Sequence, residues 1–469
     1  MVNSPMDKEK RSMTYTSLSH LTLQSNASHS VCFDEQHNVT GYEKFQQDVQ
    51  IFSAYLSDKP QRKWALCFEN SYAFSVAFMA LAHAGKHLIL PGNHQPAALT
   101  ELAQHFDALL HDDIIETMPC EIHINYNAVD LSIQHTEKLS PLSLCDIPLT
   151  LFTSGSTDTP KPINKTLQLL DNEIQQLELL WGEKVKDSEC YSTVSHQHIY
   201  GLLFRVLWPL CSGRAFSQTN FIYPEQILSH HSSHPKTLVC SPALLKRLID
   251  HEGYNEYQVV FSSGGPLAIE GADQSEAKLS SRPFEVYGST ETGGVGYRQQ
   301  TEPCSLWTFF PSHQARLNIE HCLELLSPFI DDALWYPTSD YCDLLENGQF
   351  MLKGRVDRVI KIEEKRLSLT EVEKRLTQLI WIDDAAVISM EEEKRTVLGA
   401  VIVLSDAGNE LMQQGSKGKF WLKLRSELRE WLEPVGIPRR FRAVDEVPLN
   451  SQGKRQMRDL QQLFNDIND

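Results

Sequence analysis

At 469 residues the chain is too long for one ordinary core, so a large domain with a smaller companion is expected. Its 41% hydrophobic and 22% charged residues make an ordinary globular balance, while a formal charge of −18 excludes a broad basic grip on nucleic acid. Ten cysteines without a CxxC pair indicate neither a zinc ribbon nor a disulfide framework.

Residues 1–30 are polar and Ser-rich and lack the apolar run of a signal peptide, so a cytoplasmic protein is expected. The apolar stretch 71–85 is too short to span a bilayer and predicts a buried helix, with no membrane span. From about residue 60, short apolar runs alternate with helix-like stretches, the pattern of a layered α/β domain. Strand-like 258–261 runs into Ser263-Gly264-Gly265, and 284–287 runs into Gly288-Ser289-Thr290. Ligands collect at such strand-to-turn junctions in open α/β sheets.

After Gly354-Arg355 the chain becomes charge-rich, with Lys361, Glu363, Glu364 and Lys365 close together. Ser368 and Glu371 form a capping-box pattern opening a helix with Val372, Leu376 and Ile380 on its apolar side. A strand at 397–404 and an amphipathic helix through Trp421, Leu424, Leu428 and Trp431 complete the tail. The expected fold class is α/β: a large layered N-terminal domain, 1–356, and a small α+β C-terminal domain, 357–469.

Chemistry concentrates in a few segments. Thr153-Ser154-Gly155-Ser156-Thr157 and Lys161 offer hydroxyls, backbone N–H groups and one cation to a polyphosphate, and equally make a solvated Ser/Thr turn. It is not a Walker loop, because Pro160 and Pro162 stand where that motif needs Gly and Ser or Thr. Downstream come Tyr287-Gly288-Ser289-Thr290-Glu291, Ser339-Asp340 before Arg355, and Pro448 to Gly453-Lys454. His196 and His198 have zinc-ligand spacing without an evident third ligand. His198-Ile199-Tyr200-Gly201 begins a helix with Leu202, Leu203, Val206 and Leu207 expected on an apolar side.

Taken in order, these segments resemble the adenylate-forming superfamily of acyl-CoA synthetases, peptide-synthetase adenylation domains and luciferases, over about 151–456. The first matches the family's T-S-G-S-T-G-x-P-K-G loop except at Asp158 and Pro162. The resemblance implies activation of a carboxylic acid, aryl or fatty, by ATP and Mg²⁺, followed by transfer to a thiol. It implies that Thr153 to Lys161 cradle the departing phosphates, Thr290 contacts the α-phosphate and Glu291 holds Mg²⁺. Asp340 and Arg355 would meet the ribose, Lys454 would bridge carboxylate and phosphate, and Ser263, Gly264 and Gly265 would leave room for adenine, near Tyr287 and Gly288. His198-Ile199-Tyr200-Gly201 resembles coumarate:CoA ligases, placing His198, Tyr200 and Phe204 at the acid pocket. A core role for Phe204 remains open.

The resemblance also implies a mobile C-terminal lid with its hinge at Asp357 and Lys361 approaching the incoming thiol. The family's K-x-x-G-x-R segment has Glu364 in place of glycine here. Bulk and negative charge in that position disfavour polyanionic CoA and favour the phosphopantetheine arm of an acyl carrier protein. The expected partners are therefore a carboxylic acid and an acyl carrier protein, with CoA as the alternative. A luciferase-like oxygenase and a non-catalytic adenylate-binding protein are the rivals outside this class.

Overall fold

The computed structural model describes residues 15–23, 29–92, 94–112, 120, 122–132, 138–153, 160–248, 251–265, 267, 269–302, 305–319, 321–331, 334–355, 359–392, 395–413, 415–448 and 457–465. The expected positions Ser154, Gly155, Ser156, Thr157, Asp357 and Lys454 lie outside them, as do the side chains of Thr153 and Arg355.

The predicted helix runs Ser71–His83 and is buried along nearly its whole length, as expected of an apolar stretch with no polar face. It starts at Asn70, whose side chain accepts from the N–H groups of Tyr72 and Ala73 at 2.9 and 3.0 Å. Strands Lys63–Cys67 and Pro148–Thr153 flank it in sequence and belong to one six-stranded sheet. The second, thirteen-stranded sheet holds a parallel run that includes Glu189–Ser192, Lys236–Cys240, Val259–Ser263 and Phe284–Ser289. Residues before 60 carry no motif but are part of the main core through Leu18, Leu21, Phe45 and Phe52. Leu18 N–H donates to buried Asp171 at 2.8 Å, fastening this segment to helix Leu167–Trp181.

Gln349–Arg355 still belongs to the large sheet, and Val359–Ile362 opens a separate hairpin with Lys365–Ser368. Glu363 makes its tight turn with φ of 57°. A three-stranded sheet, Ile382–Glu392, Arg395–Leu404 and Arg440–Ala443, packs with helices Leu369–Thr377 and Lys417–Leu428 around its own core. The fold is thus α/β, with a large N-terminal sheet domain and a smaller C-terminal one.

Three details of the small domain differ from expectation, the first being that the helix through Trp421 and Leu424 ends at Leu428, before Trp431. Ser368 does cap its helix, accepting from Glu371 N–H at 3.2 Å, but Glu371 turns its carboxylate to Arg375 at 2.7 Å. The helix also stops at Thr377, so Val372 and Leu376 are buried while Ile380 lies past the end and is 76% exposed. Among the described residues no helix is long and apolar enough to cross a membrane.

Candidate active site

Parallel neighbours end at one edge of a sheet, so whatever follows them is gathered there. Val259–Ser263 delivers Gly264 and Gly265, and Phe284–Ser289 delivers Thr290 and Glu291. The chain after Glu189–Ser192 delivers His198. These groups meet around a cavity of about 180 Å³ lined by His198, Tyr200, Phe204, Gly264, Gly288 and Thr290. Both strand-to-turn junctions singled out in the sequence thus open onto one cavity.

Thr290 and Glu291 sit at the apex of a turn closed by reciprocal contacts. Ser289 N–H donates to Thr292 Oγ1 and Thr292 N–H to Ser289 Oγ, each at 3.2 Å. Gly288 pairs with Gly294 at a register shift, and a Cβ at 288 would strike the Gly293 carbonyl, so only glycine fits. Beneath the turn, buried Lys165 donates to the carbonyls of Glu291 at 3.1 Å and Phe329 at 2.8 Å. Asp340 and Arg355, separated in sequence, are direct partners across antiparallel strands Tyr336–Leu344 and Gln349–Arg355. Asp340 is 6% exposed. Thr153 and Lys161 are likewise ladder partners, which sets the two ends of the Ser/Thr-rich segment side by side, with Lys161 exposed.

His196 and His198 part company. His196 is buried against Phe74, ring centroids 4.4 Å apart, while His198 lines the cavity. The described His, Cys and acidic residues that do cluster at metal-binding distances are His37, Glu189 and His234, at the N-terminal end of the Glu189–Ser192 strand. Burial pushes the His198 imidazole down to about 3, helped by the positive charge of Lys365, so the ring is neutral. It can hydrogen-bond an acid but brings no charge. The helix expected after it has no polar side: a single α turn, Ile199–Gly201, leads into a π-helical turn, Leu202–Leu207, in which every residue is buried. Phe204 lines the cavity and also belongs to the main core. The Tyr200 hydroxyl donates to Cys240 O at 3.3 Å.

The small domain closes the cavity from the other side. Lys361 Nζ donates to Gly288 O at 2.8 Å, and Glu364 and Lys365 join the lining. Gly264 has φ of +94°, and a Cβ there would collide with the Glu364 backbone. Both this backbone conformation and the closeness of the hairpin demand a glycine at 264. Desolvation raises the Glu364 carboxyl to about 7 against the pull of Lys365. Lys365 itself pairs with Glu433 at 2.6 Å.

Motif reading missed four charged residues of this region. Glu173 and Lys165 are buried beneath the Thr290 turn, and Arg375 of the small domain pairs with Glu101 of the large one. Arg375 also lies 4.4 Å from the centroid of Trp431. The one sequence signal for Glu173 is the Gly293-Gly294 pair that leaves it room.

Comparison with known proteins shows the family and the fold. The family model described as AMP-binding enzyme matches residues 22–312. The chain is 26% identical over 330 residues to a 4-coumarate--CoA ligase of Cereibacter sphaeroides, covering 70% of this chain and 73% of the relative. A D-alanine--D-alanyl carrier protein ligase of Staphylococcus aureus is 29% identical over 139 residues, 29% of this chain and 27% of that one. Among solved structures, o-succinylbenzoate CoA synthetase of Bacillus subtilis superposes with a TM-score of 0.81 at 17% identity, covering 95% of this chain and 98% of that one. An amide bond synthetase of Marinactinospora thermotolerans gives 0.80 at 15% identity, covering 96% and 100%. With the match extending over more than half of its length, the chain belongs to the AMP-binding enzyme family.

Proposed function

We propose that the protein activates a carboxylic acid, aryl or medium-chain, with ATP and transfers the acyl group to the phosphopantetheine thiol of an acyl carrier protein. The observation that carries this reading is the convergence of His198, Tyr200 and Phe204 with the Gly288–Thr290 turn on one cavity in a chain of this family. In the first step a carboxylate oxygen attacks the α-phosphorus and the bond to the β-phosphate oxygen breaks, releasing pyrophosphate. The acid is already ionised, so the difficulty is to hold anions together. Thr290 donates to the α-phosphate, neutral His198 orients the carboxylate, and Lys454 supplies the bridging cation. Glu291, partly buried with its carbonyl fixed by Lys165, presents a carboxylate of the kind that suits Mg²⁺, which would neutralise the departing pyrophosphate.

In the second step the thiol sulfur attacks the acyl carbon, the acyl–oxygen bond to AMP breaks and the thiol proton leaves to solvent. The hairpin with Lys361 and Glu364 facing the cavity is the arrangement this step calls for, and Asp357 is assigned as the hinge between the two orientations. Preference for a carrier protein rests on Glu364, whose carboxyl lies in the same lining as His198. Arg439 and Arg440 are exposed enough to meet an acidic carrier helix, although both are shared with Glu392, whereas Arg442 is bonded to Leu463 O at 3.0 Å. The second reading, an acyl-CoA synthetase, is favoured by the likeness to the 4-coumarate--CoA ligase.

Acid-dependent exchange of pyrophosphate into ATP tests the first step, and its absence with every acid would leave a binding protein. Light or oxygen uptake after adenylation would mark an oxygenase. The acceptor is decided by competition between CoA and a holo carrier protein for the same acyl-adenylate. Efficient acyl-CoA formation without carrier loading selects the second reading.

A further inference from the structure

The cavity is mostly apolar, and one group in it serves no step described above. Glu173, on helix Leu167–Trp181, is 2% exposed and shares the lining with Leu203, Phe204 and Val286. Two consecutive glycines make room for it. A Cβ at Gly293 would come within 2.5 Å of Glu173 Oε2, and one at Gly294 within 3.2 Å of Oε1. Oε1 accepts from Gly294 N–H at 2.6 Å, while Oε2 has no hydrogen-bond donor among the described residues.

A buried carboxylate with an unused oxygen is costly, and Lys165 offsets only part of the cost: desolvation still raises the carboxyl to about 7. Holding the Gly294 N–H and facing the charge of Lys165 occupy one side of the carboxyl, while its other neighbours in the lining, Leu203, Phe204 and Val286, are apolar and offer it nothing. The Tyr200 hydroxyl, already bonded to Cys240 O, is not its partner. Its position along the site is informative. Gly293 and Gly294, against which Glu173 packs, pair with Ser289 and Gly288, so Glu173 stands behind the turn that carries Thr290, on the side of Phe204 and Val286.

We infer that Glu173 recognises the end of the acid remote from its carboxylate, and that the acid carries a hydrogen-bond donor there, a hydroxyl or amino group on an aryl ring. The inference deepens the adenylation reading and rests on it for the direction in which the acid lies. A site built to bond such a donor strongly rejects the analogue lacking it, because the buried acceptor is then left unpaired.

The test compares matched acids, 4-hydroxybenzoate against benzoate and 4-hydroxycinnamate against cinnamate. Pyrophosphate exchange and, separately, thermal shift of the full-length protein without ATP are read for each. The hydroxy acids are expected to be preferred by about tenfold or more in kcat/KM and to give the larger shift. Glu173→Leu should bring the ratio near one by lowering the hydroxy acids selectively, with Glu173→Gln between. Equal or better use of the unsubstituted acids by the wild type overturns the inference, and this comparison needs no variant to fold. A hydroxy-acid preference in thermal shift without exchange by any acid keeps the inference and removes adenylation. Equal or absent shifts without exchange overturn both.

Discussion

The two walls of the cavity are built by different physics. The large-domain wall consists of strand ends and a buried helix whose residues, Phe204, Leu203 and Val286 among them, belong to or touch the main core. Moving any of them costs apolar burial and packing. The small-domain wall docks instead through polar contacts: Lys361 to Gly288 O, Arg375 to Glu101, and a hairpin laid over Gly264. Such contacts can be exchanged for water at modest net cost, so in the proposed two-step reaction the large-domain wall would be the permanent one and the small-domain wall the one to depart. This division would keep the acid in place while the chemistry around its carboxyl changes.

The largest effect that would break the comparison concerns Lys454, assigned to the departing wall. Lys454→Ala should lower adenylation by about 10²–10³ while thioester formation from supplied acyl-adenylate survives. Equal loss in both assays would mean that the lysine serves a single fixed site. Glu364→Gly restores the small residue usual at that position, and it should raise the rate with CoA by about tenfold over wild type without changing pyrophosphate exchange. No gain would show that the carboxylate is not an obstacle to the thiol.

A smaller effect is expected at the contact between the walls. Glu101→Gln leaves Arg375 its bond to Glu371 and its place over Trp431, and should slow thioester formation about threefold to tenfold, with exchange nearly unchanged. Equal slowing of both steps would argue that the pair merely stabilises the fold.

The smallest effect belongs to the permanent wall. The folded chain holds the Glu173 proton up to about pH 7, whereas an ordinary carboxyl releases it near 4.5. Its contribution to stability is therefore fully present below pH 4.5 and lost as pH rises through 7. Glu173→Gln should consequently gain about 2 °C in thermal midpoint relative to wild type on going from pH 5 to pH 8. An unchanged difference between the two pH values would mean that the carboxyl titrates normally.

What sequence reveals about this site follows the same division. Thr290, Asp340 and Arg355 stand in short motifs at fixed local spacings that can be read directly from the chain, and Asp340 and Arg355 are ladder partners. Glu173 and Arg375 read as polar positions on helices that sequence alone would turn to solvent. Their burial comes from what packs over them, the Gly293-Gly294 strand in one case and Glu101 with Trp431 in the other. Ile380 erred in the reverse sense, because helical spacing does not announce that the helix has already stopped at Thr377.

The π-helical turn Leu202–Leu207 carries one further consequence. A π turn holds one residue more than the α-helix it interrupts, and each α-helical residue advances about 100°. Deleting a single residue there would let the helix run on regularly and would turn Ile199 and Tyr200 relative to the core-bound Arg205 and Trp208, without cutting any strand of the sheet. Pocket shape in this protein is thus open to change by length as well as by substitution, through an indel at a site where the backbone already stores the extra residue.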